Sequence, residues 1–99
     1  MPFPEHPGQI RIVDLFRGTS KMAPIADVPE SRRFVYLENG IETHDPSAAA
    51  ERVPIVEVRM LSLDERGNLV APEIAYKIRI DEFGPDNRPL RSTIMRREK

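Results

Sequence analysis

Two stretches of the chain alternate between apolar and polar side chains with a period of two, which is typical of β-strands. In residues 53–63, one face of the predicted strand carries Val56, Val58 and Met60. In residues 74–80, one face carries Ile74, Tyr76, Ile78 and Ile80. We therefore predict two long strands that pair with each other and bury these faces together.

The segment between these strands has the sequence of a tight turn. Asp64 stands at its first position and Gly67 at its fourth, which suits a type I turn closed by a bulge with glycine at positive φ. Such a turn pairs Asp64 with Asn68, and the resulting register sets Val58 opposite Ile74. The apolar faces coincide in this register, whereas a slip by one residue would set them against the charged face.

Shorter strands are predicted at 9–16, 33–37, 41–43 and 90–95. Asn39-Gly40 joins the second and third of these, and this dipeptide is the strongest two-residue hairpin signal because a type I′ turn needs positive φ at both positions. The hairpin sets Leu37 opposite Glu42.

The remaining segments are predicted to be loops or very short helices. In residues 45–52, Asp45 can cap free N–H groups and Pro46 suits the first helical position, so a short helix is expected there. Residues 21–31 are expected to be a loop with one helical turn starting near Pro29. Residues 81–89 are expected to be a polar loop.

Composition supports a fold built from short elements. Ten prolines are spread along the 99 residues and exclude a long helix. The length predicts a single domain, 1–99, with a proline-rich arm at 1–8 and a charged tail at 96–99. The predicted fold is mainly β: a small antiparallel meander of five or six strands, curled or closed into an open barrel, with at most one or two short helical turns.

Charge and cysteine content exclude several classes of protein. The formal net charge is -1, so the chain is not a uniformly basic nucleic-acid binder. Without cysteine, it can form neither disulfides nor zinc–thiolate sites. No apolar run has the length of a membrane helix, and residues 1–20 lack the pattern of a secretory signal, so a cytoplasmic protein is expected.

One face of the predicted central hairpin is charged. Glu57 and Arg59 share a face of the first strand, and Lys77 and Arg79 lie on the matching face of the second. Two interpretations remain open. The four side chains could form a shallow site for an anionic or polar ligand, or they could be solvated cross-strand ion pairs, each worth a few tenths of a kcal/mol.

The C-terminal segment is basic. Residues 85–99 contain five basic and two acidic side chains, whereas residues 38–65 contain seven acidic and two basic ones. Arg91, Arg96 and Arg97 could bind the phosphates of a nucleic acid. Because no stacking aromatics accompany them, an ordinary solvated terminus is the favoured interpretation, and contact with the acidic part of another subunit is a further alternative.

Signatures of catalysis are missing from the sequence. There is no phosphate-binding glycine loop, nucleophile elbow or His-Glu-x-x-His pattern. His44 stands among Glu42, Thr43 and Asp45, but a single imidazole is too few for a metal site, so neither a metal nor another cofactor is expected.

The sequence favours a small non-enzymatic interaction or assembly module that works through its sheet faces and edges. Apolar residues on both faces of 10–16 and 53–63 predict self-association into a homodimer or larger assembly, with an unidentified protein as a further partner. The alternatives are a small β-barrel enzyme or ligand binder that uses the charged face, and a phosphate binder that uses the basic C-terminal segment.

Overall fold

Eight β-strands form two sheets in the computed structural model, which describes residues 5–96. The large sheet contains β1 (Gln9–Asp14), β2 (Thr19–Pro24), β6 (Glu57–Leu63), β7 (Lys77–Phe83) and β8 (Pro89–Arg96). The small sheet contains β3 (Phe34–Glu38), β4 (Ile41–Glu42) and β5 (Glu51–Pro54). Short 3-10 turns lie at Ile25–Asp27, Glu30–Arg32, Pro46–Ala48, Pro72–Ile74 and Pro85–Asn87. The mainly β prediction is confirmed, although these residues form eight strands rather than five or six, and five helical turns rather than one or two.

The large sheet is mixed rather than purely antiparallel. Its strand order is β2-β1-β6-β7-β8, and β1 runs parallel to β6 while all other neighbours are antiparallel. The predicted antiparallel meander is therefore wrong at β1 and β6, and two separate sheets replace the single curled sheet or open barrel. A parallel pair needs a long crossover connection, and the segment that builds the small sheet supplies it.

The long strand predicted at 53–63 is divided between the two sheets. β5 pairs with β3, and β6 pairs with β1 and β7. At the crossing point, the Ile55 amide donates to the Arg33 carbonyl and the Val56 amide donates to the Phe83 carbonyl, both at 2.9 Å. The chain stays extended here while its hydrogen-bond partners change, so the alternating pattern alone could not reveal the break.

The turn at Asp64–Asn68 forms as predicted, but the register beyond it does not. The Asp64 amide donates to the Asn68 carbonyl at 2.9 Å, and Leu63 forms a bridge with Leu69. β6 then pairs with β7 in a register that sets Val58 opposite Glu82, so the predicted Val58–Ile74 pair is wrong by eight residues. An even shift keeps the same faces together, so the apolar pattern fits both registers.

The register shifts because the chain passes from one edge of β6 to the other edge before β7 begins. The carbonyls of Met60 and Ser62 point to the same edge of β6, where they accept from Leu15 on the β1 side and from Val70. The Leu63 carbonyl points to the opposite edge and accepts from Tyr76. The chain therefore passes from one edge of β6 to the other through the 3-10 turn that starts at Pro72.

Gly67 offers a direct test of the turn. Its φ is +86°, and a Cβ atom built on it would meet nothing within 4 Å. Gly67→Val is expected to lower the free energy of unfolding by at least about 1 kcal/mol, because a β-branched residue tolerates the left-handed conformation poorly. Gly67→Asn is expected to cost clearly less, and thermal melting of the two variants measures the difference. Equal melting temperatures would contradict the turn.

Local signals in the small sheet are confirmed. Asn39 and Gly40 have φ values of 53° and 80°, and Leu37 pairs with Glu42 as the hairpin predicts. The Asp45 side chain accepts from the Ser47 amide at 3.0 Å and caps a helical turn. That turn ends at Ala48 rather than continuing to residue 52, because the chain enters β5 at residue 51.

The sequence pattern missed one strand, β2, and predicted too early an end for another, β7. Residues 19–24, part of them expected to be a loop, form β2, an exposed edge strand whose Thr-Ser-Lys-Met-Ala-Pro sequence has no apolar alternation. β7 continues to Phe83, well into the expected loop at 81–89. The helical turn near Pro29 is present at Glu30–Arg32.

The core lies between the small sheet and one end of the large sheet, which we call the proximal end. Its buried members are Ile10, Val35, Leu37, Val53 and Ile55. The molecule measures 46 × 25 × 24 Å, so the large sheet extends well beyond this core. We call the opposite end, where β1 and β6 finish and β7 begins, the distal end. The sheet face that turns toward the small sheet is the inner face, and the other is the outer face.

Part of the predicted arm packs against the core. The His6 Nε2 donates to the Ile55 carbonyl at 2.6 Å, and its ring meets the Phe34 ring edge-on with centroids 5.6 Å apart. Residues 1–4 of the arm and residues 97–99 of the tail lie outside the described residues.

Candidate interaction surfaces

The four charged residues predicted as a ligand site all lie on the outer face of the large sheet. Arg59 donates to Glu57 at 2.5 Å. Arg79 lies on the neighbouring strand β7 opposite Leu61, two residues along β6 from Arg59. Lys77 is opposite Leu63, six residues along β6 from Glu57, which corresponds to about 20 Å. The structure therefore brings Glu57 and Arg59 together, sets Arg79 about 13 Å along the strands from Glu57, and places Lys77 farther still.

Carboxylates already bind the guanidinium groups on this face. Arg79 makes a forked contact with Asp81 at 2.8–3.2 Å, and this contact holds the pKa of Asp81 below its ordinary value. Ser92 also donates to Asp81, and the Arg59 guanidinium lies 4.2 Å from the centre of the Phe83 ring. Each ion pair joins residues two apart on the same strand, Glu57 with Arg59 on β6 and Arg79 with Asp81 on β7, whereas Ser92 and Phe83 supply the contacts between strands.

The two histidines have different environments. His44 is exposed next to the Asp45 cap, and His6 is bound to the core through its ring nitrogen. Within residues 5–96, no group of three or more histidine, aspartate or glutamate side chains is arranged to hold a metal ion.

The predicted phosphate-binding arginines do not share a face. Arg91 lies on the inner face opposite Glu82, whereas Arg96 ends β8 on the outer face, opposite Lys77. Arg97 lies outside the described residues. β8 thus directs Arg91 into the molecule and leaves Arg96 exposed.

Arg91 belongs to a partly buried ionic group that the sequence interpretation missed. Its Nε donates to Glu82 at 2.6 Å, and a terminal nitrogen donates to Glu42 at 2.9 Å. The Glu82 side chain is only 2% exposed, and Glu42 belongs to β4. The arginine therefore joins the large sheet to the small sheet. The sequence signal for this ionic group is Glu82, which occupies the next position on the strand face that carries Ile78 and Ile80.

Both outer strands of the large sheet, β2 and β8, have a free edge within the described residues. Exposed strand edges present unpaired N–H and C=O groups that can pair with another chain. From Ser92 onward β8 is largely exposed, and Ile94 and Met95 expose apolar side chains on opposite faces. The β7–β8 ladder is regular over residues 91–96 of β8, and the β1–β2 ladder is regular over residues 19–24 of β2.

Exposed apolar side chains concentrate on the large sheet and its connections. Among residues 5–96, the large exposed apolar side chains outside the small sheet are Leu15, Phe16, Met22, Leu69, Ile74, Tyr76, Ile94 and Met95. Those of residues 15–16 and 69–76 lie at the distal end, where Arg17 and Glu73 form an ion pair between the two connections. The distal end thus exposes several apolar side chains beside the Arg17–Glu73 ion pair.

Two further observations concern membrane-spanning helices and similarity to known proteins. Within residues 5–96, no helix is long and apolar enough to cross a membrane. Comparison of the chain with protein-family models, with curated proteins and with solved structures finds no match in any of the three.

Proposed function

We propose that this protein is a non-enzymatic interaction or assembly module that works through the edges and apolar surfaces of its large sheet, and that it self-associates. The observation that carries the proposal is the position of its exposed apolar side chains. They lie on the edge strands and at the distal end of a sheet whose second layer covers only the proximal end. Contiguous apolar surface in water is typical of a binding surface.

The charged groups support the same function. On the outer face, the arginines at 59 and 79 are engaged by carboxylates of their own sheet, and on the inner face Arg91 is engaged by two. A site for an anionic ligand would have to compete with these contacts. The apolar edge and distal end face no such competition, so they are the surfaces best suited to a protein partner.

Light scattering measures the self-association directly. At tens of micromolar, the protein is expected to have the mass of a dimer or a larger assembly. The mass should persist in about 1 M salt, where charges interact over only about 3 Å, because apolar contacts and backbone hydrogen bonds hold the subunits together. A monomeric mass at low salt would refute self-association, and dissociation at high salt would show that charges hold the assembly instead.

A further inference from the structure

We infer that two copies of the chain pair through the free edge of β8, in antiparallel orientation and centred on Ile94, to form a continuous ten-stranded sheet. The inference rests on the proposed function and identifies the surface and the partner that self-association uses. It follows from the backbone groups that β8 leaves unpaired, from their symmetry, and from the side chains that flank them.

The unpaired groups of β8 can be traced through the sheet, because successive residues of a strand point their backbone groups to opposite edges. The carbonyls of residues 60 and 62 point to the β1 side of β6, so residues 57, 59, 61 and 63 bond to β7. Through the β6–β7 register, residues 78, 80 and 82 of β7 point to β8. Through the β7–β8 register, Arg91, Thr93 and Met95 point back to β7. The outward groups are those of Ser92, Ile94 and Arg96.

These three residues define a symmetric pairing. An antiparallel copy centred on Ile94 sets Ser92 opposite Arg96, Ile94 opposite Ile94, and Arg96 opposite Ser92. Each pair can exchange two backbone hydrogen bonds, and every outward group from residue 92 to residue 96 is satisfied. A bulge between β7 and β8 beside Glu82 and Phe83 ends the regular edge on the proximal side.

The side chains of this edge suit a second copy. Ile94 is 56% exposed on the outer face and would pack against its own equivalent, and Met95 would pack beside Thr93 on the inner face. Arg96 would lie next to Ser92 of the second copy, whose hydroxyl donates to the Asp81 carboxylate. No two like charges fall opposite each other between residues 92 and 96, so like-charge repulsion does not oppose this register.

The edge of β2 is less suited to such pairing. Arg11 and Leu15 donate to β6, so the alternate residues of β1 bond to β2 and leave Ser20, Met22 and Pro24 pointing outward. Pro24 is the last residue of β2 and has no N–H group, so of these three outward residues only Ser20 and Met22 can donate. The only proline of β8 is residue 89, outside the regular edge, so its three outward residues all keep their N–H groups and offer one donor more than those of β2.

A single cysteine tests this register, because the natural chain contains none. Opposed residues in a hydrogen-bonded antiparallel pair have Cα atoms about 5.5 Å apart, which lies within the range that a disulfide spans. Mild oxidation of Ile94→Cys is therefore expected to give a disulfide-linked dimer in high yield, measured on a non-reducing gel. The matched control is Met22→Cys, a similarly exposed side chain on the other free edge, which should stay monomeric on the gel.

The outcomes separate this inference from the proposed function. A low yield for Ile94→Cys, equal to that for Met22→Cys, would overturn pairing through β8. If that yield is low but the wild-type protein has a dimeric mass by light scattering, the protein self-associates through a surface other than β8. A monomeric wild-type mass would refute both.

A proline variant makes the same comparison without a covalent bond. Because the Ile94 amide points outward, Ile94→Pro removes an N–H donor from the proposed interface of each copy. It does not remove any hydrogen bond between β8 and β7. It is expected to be folded by circular dichroism and monomeric by light scattering, whereas Met22→Pro should keep the wild-type mass. A dimeric Ile94→Pro protein would contradict the inference.

Discussion

Arg91→Ala is expected to lower the free energy of unfolding by about 3–5 kcal/mol, because it leaves the Glu82 carboxylate buried without a cation. Glu82 is almost completely enclosed, and Arg91 provides both of its charged hydrogen bonds. Glu42 would lose its partner as well, so the contact between the two sheets would weaken. Denaturant unfolding measures the effect.

The neighbouring strand supplies a matched control for this variant. Arg79→Ala removes an arginine from an ion pair on the solvated outer face, and such pairs contribute about 0–1 kcal/mol. Replacing both partners with apolar residues, as in Arg91→Met with Glu82→Leu, should recover most of the lost stability. If Arg91→Ala and Arg79→Ala destabilise equally, the buried position of Glu82 is wrong.

Ile55→Ala is expected to lower the free energy of unfolding by about 2–5 kcal/mol, because it leaves a cavity in the core. Ile55 is 0% exposed and lies where the chain passes from the small sheet to the large one. The same deletion at Ile74, which is 72% exposed, should change stability by no more than about 0.5 kcal/mol. The pair also tests the register, since the sequence pattern placed Ile74 on the buried face opposite Val58. Comparable losses at both positions would favour the sequence-based register over the observed one.

Signals carried by a few neighbouring residues predicted the local structure correctly. Asn39-Gly40 formed the expected hairpin, Gly67 has the expected positive φ, and Asp45 caps the turn that follows it. In each case the backbone geometry is decided by one or two residues, because few others tolerate it. Such signals do not depend on what lies elsewhere in the fold.

Pairing between distant segments could not be predicted in the same way. Alternation distinguishes the two faces of a strand but not registers that differ by an even number of residues, so Val58 could be set opposite either Ile74 or Glu82. The parallel neighbour of β6 was also invisible, because β1 lies far away in sequence. The register error also shifted the strand itself, because Ile74 lies in a 3-10 turn and β7 runs from Lys77 to Phe83.

The same limit applies to the candidate sites. The charged face was correctly assigned to one side of the sheet, but the distance of Lys77 from Glu57 depends on the register. The charge count of the C-terminal segment treated Arg91 and Arg96 alike, although one is held by two carboxylates and the other is exposed. A count of charges contains no information on burial, so it could not separate them.

Amide hydrogen exchange on β8 at high and low protein concentration tests pairing through this edge most directly. The amides of Thr93 and Met95 bond to β7 and should be protected at both concentrations. The amides of Ser92, Ile94 and Arg96 should be protected at high concentration, when they bond to a second copy, and should exchange rapidly on dilution to the monomer. Rapid exchange at these three positions in a sample shown to be dimeric would contradict pairing through β8.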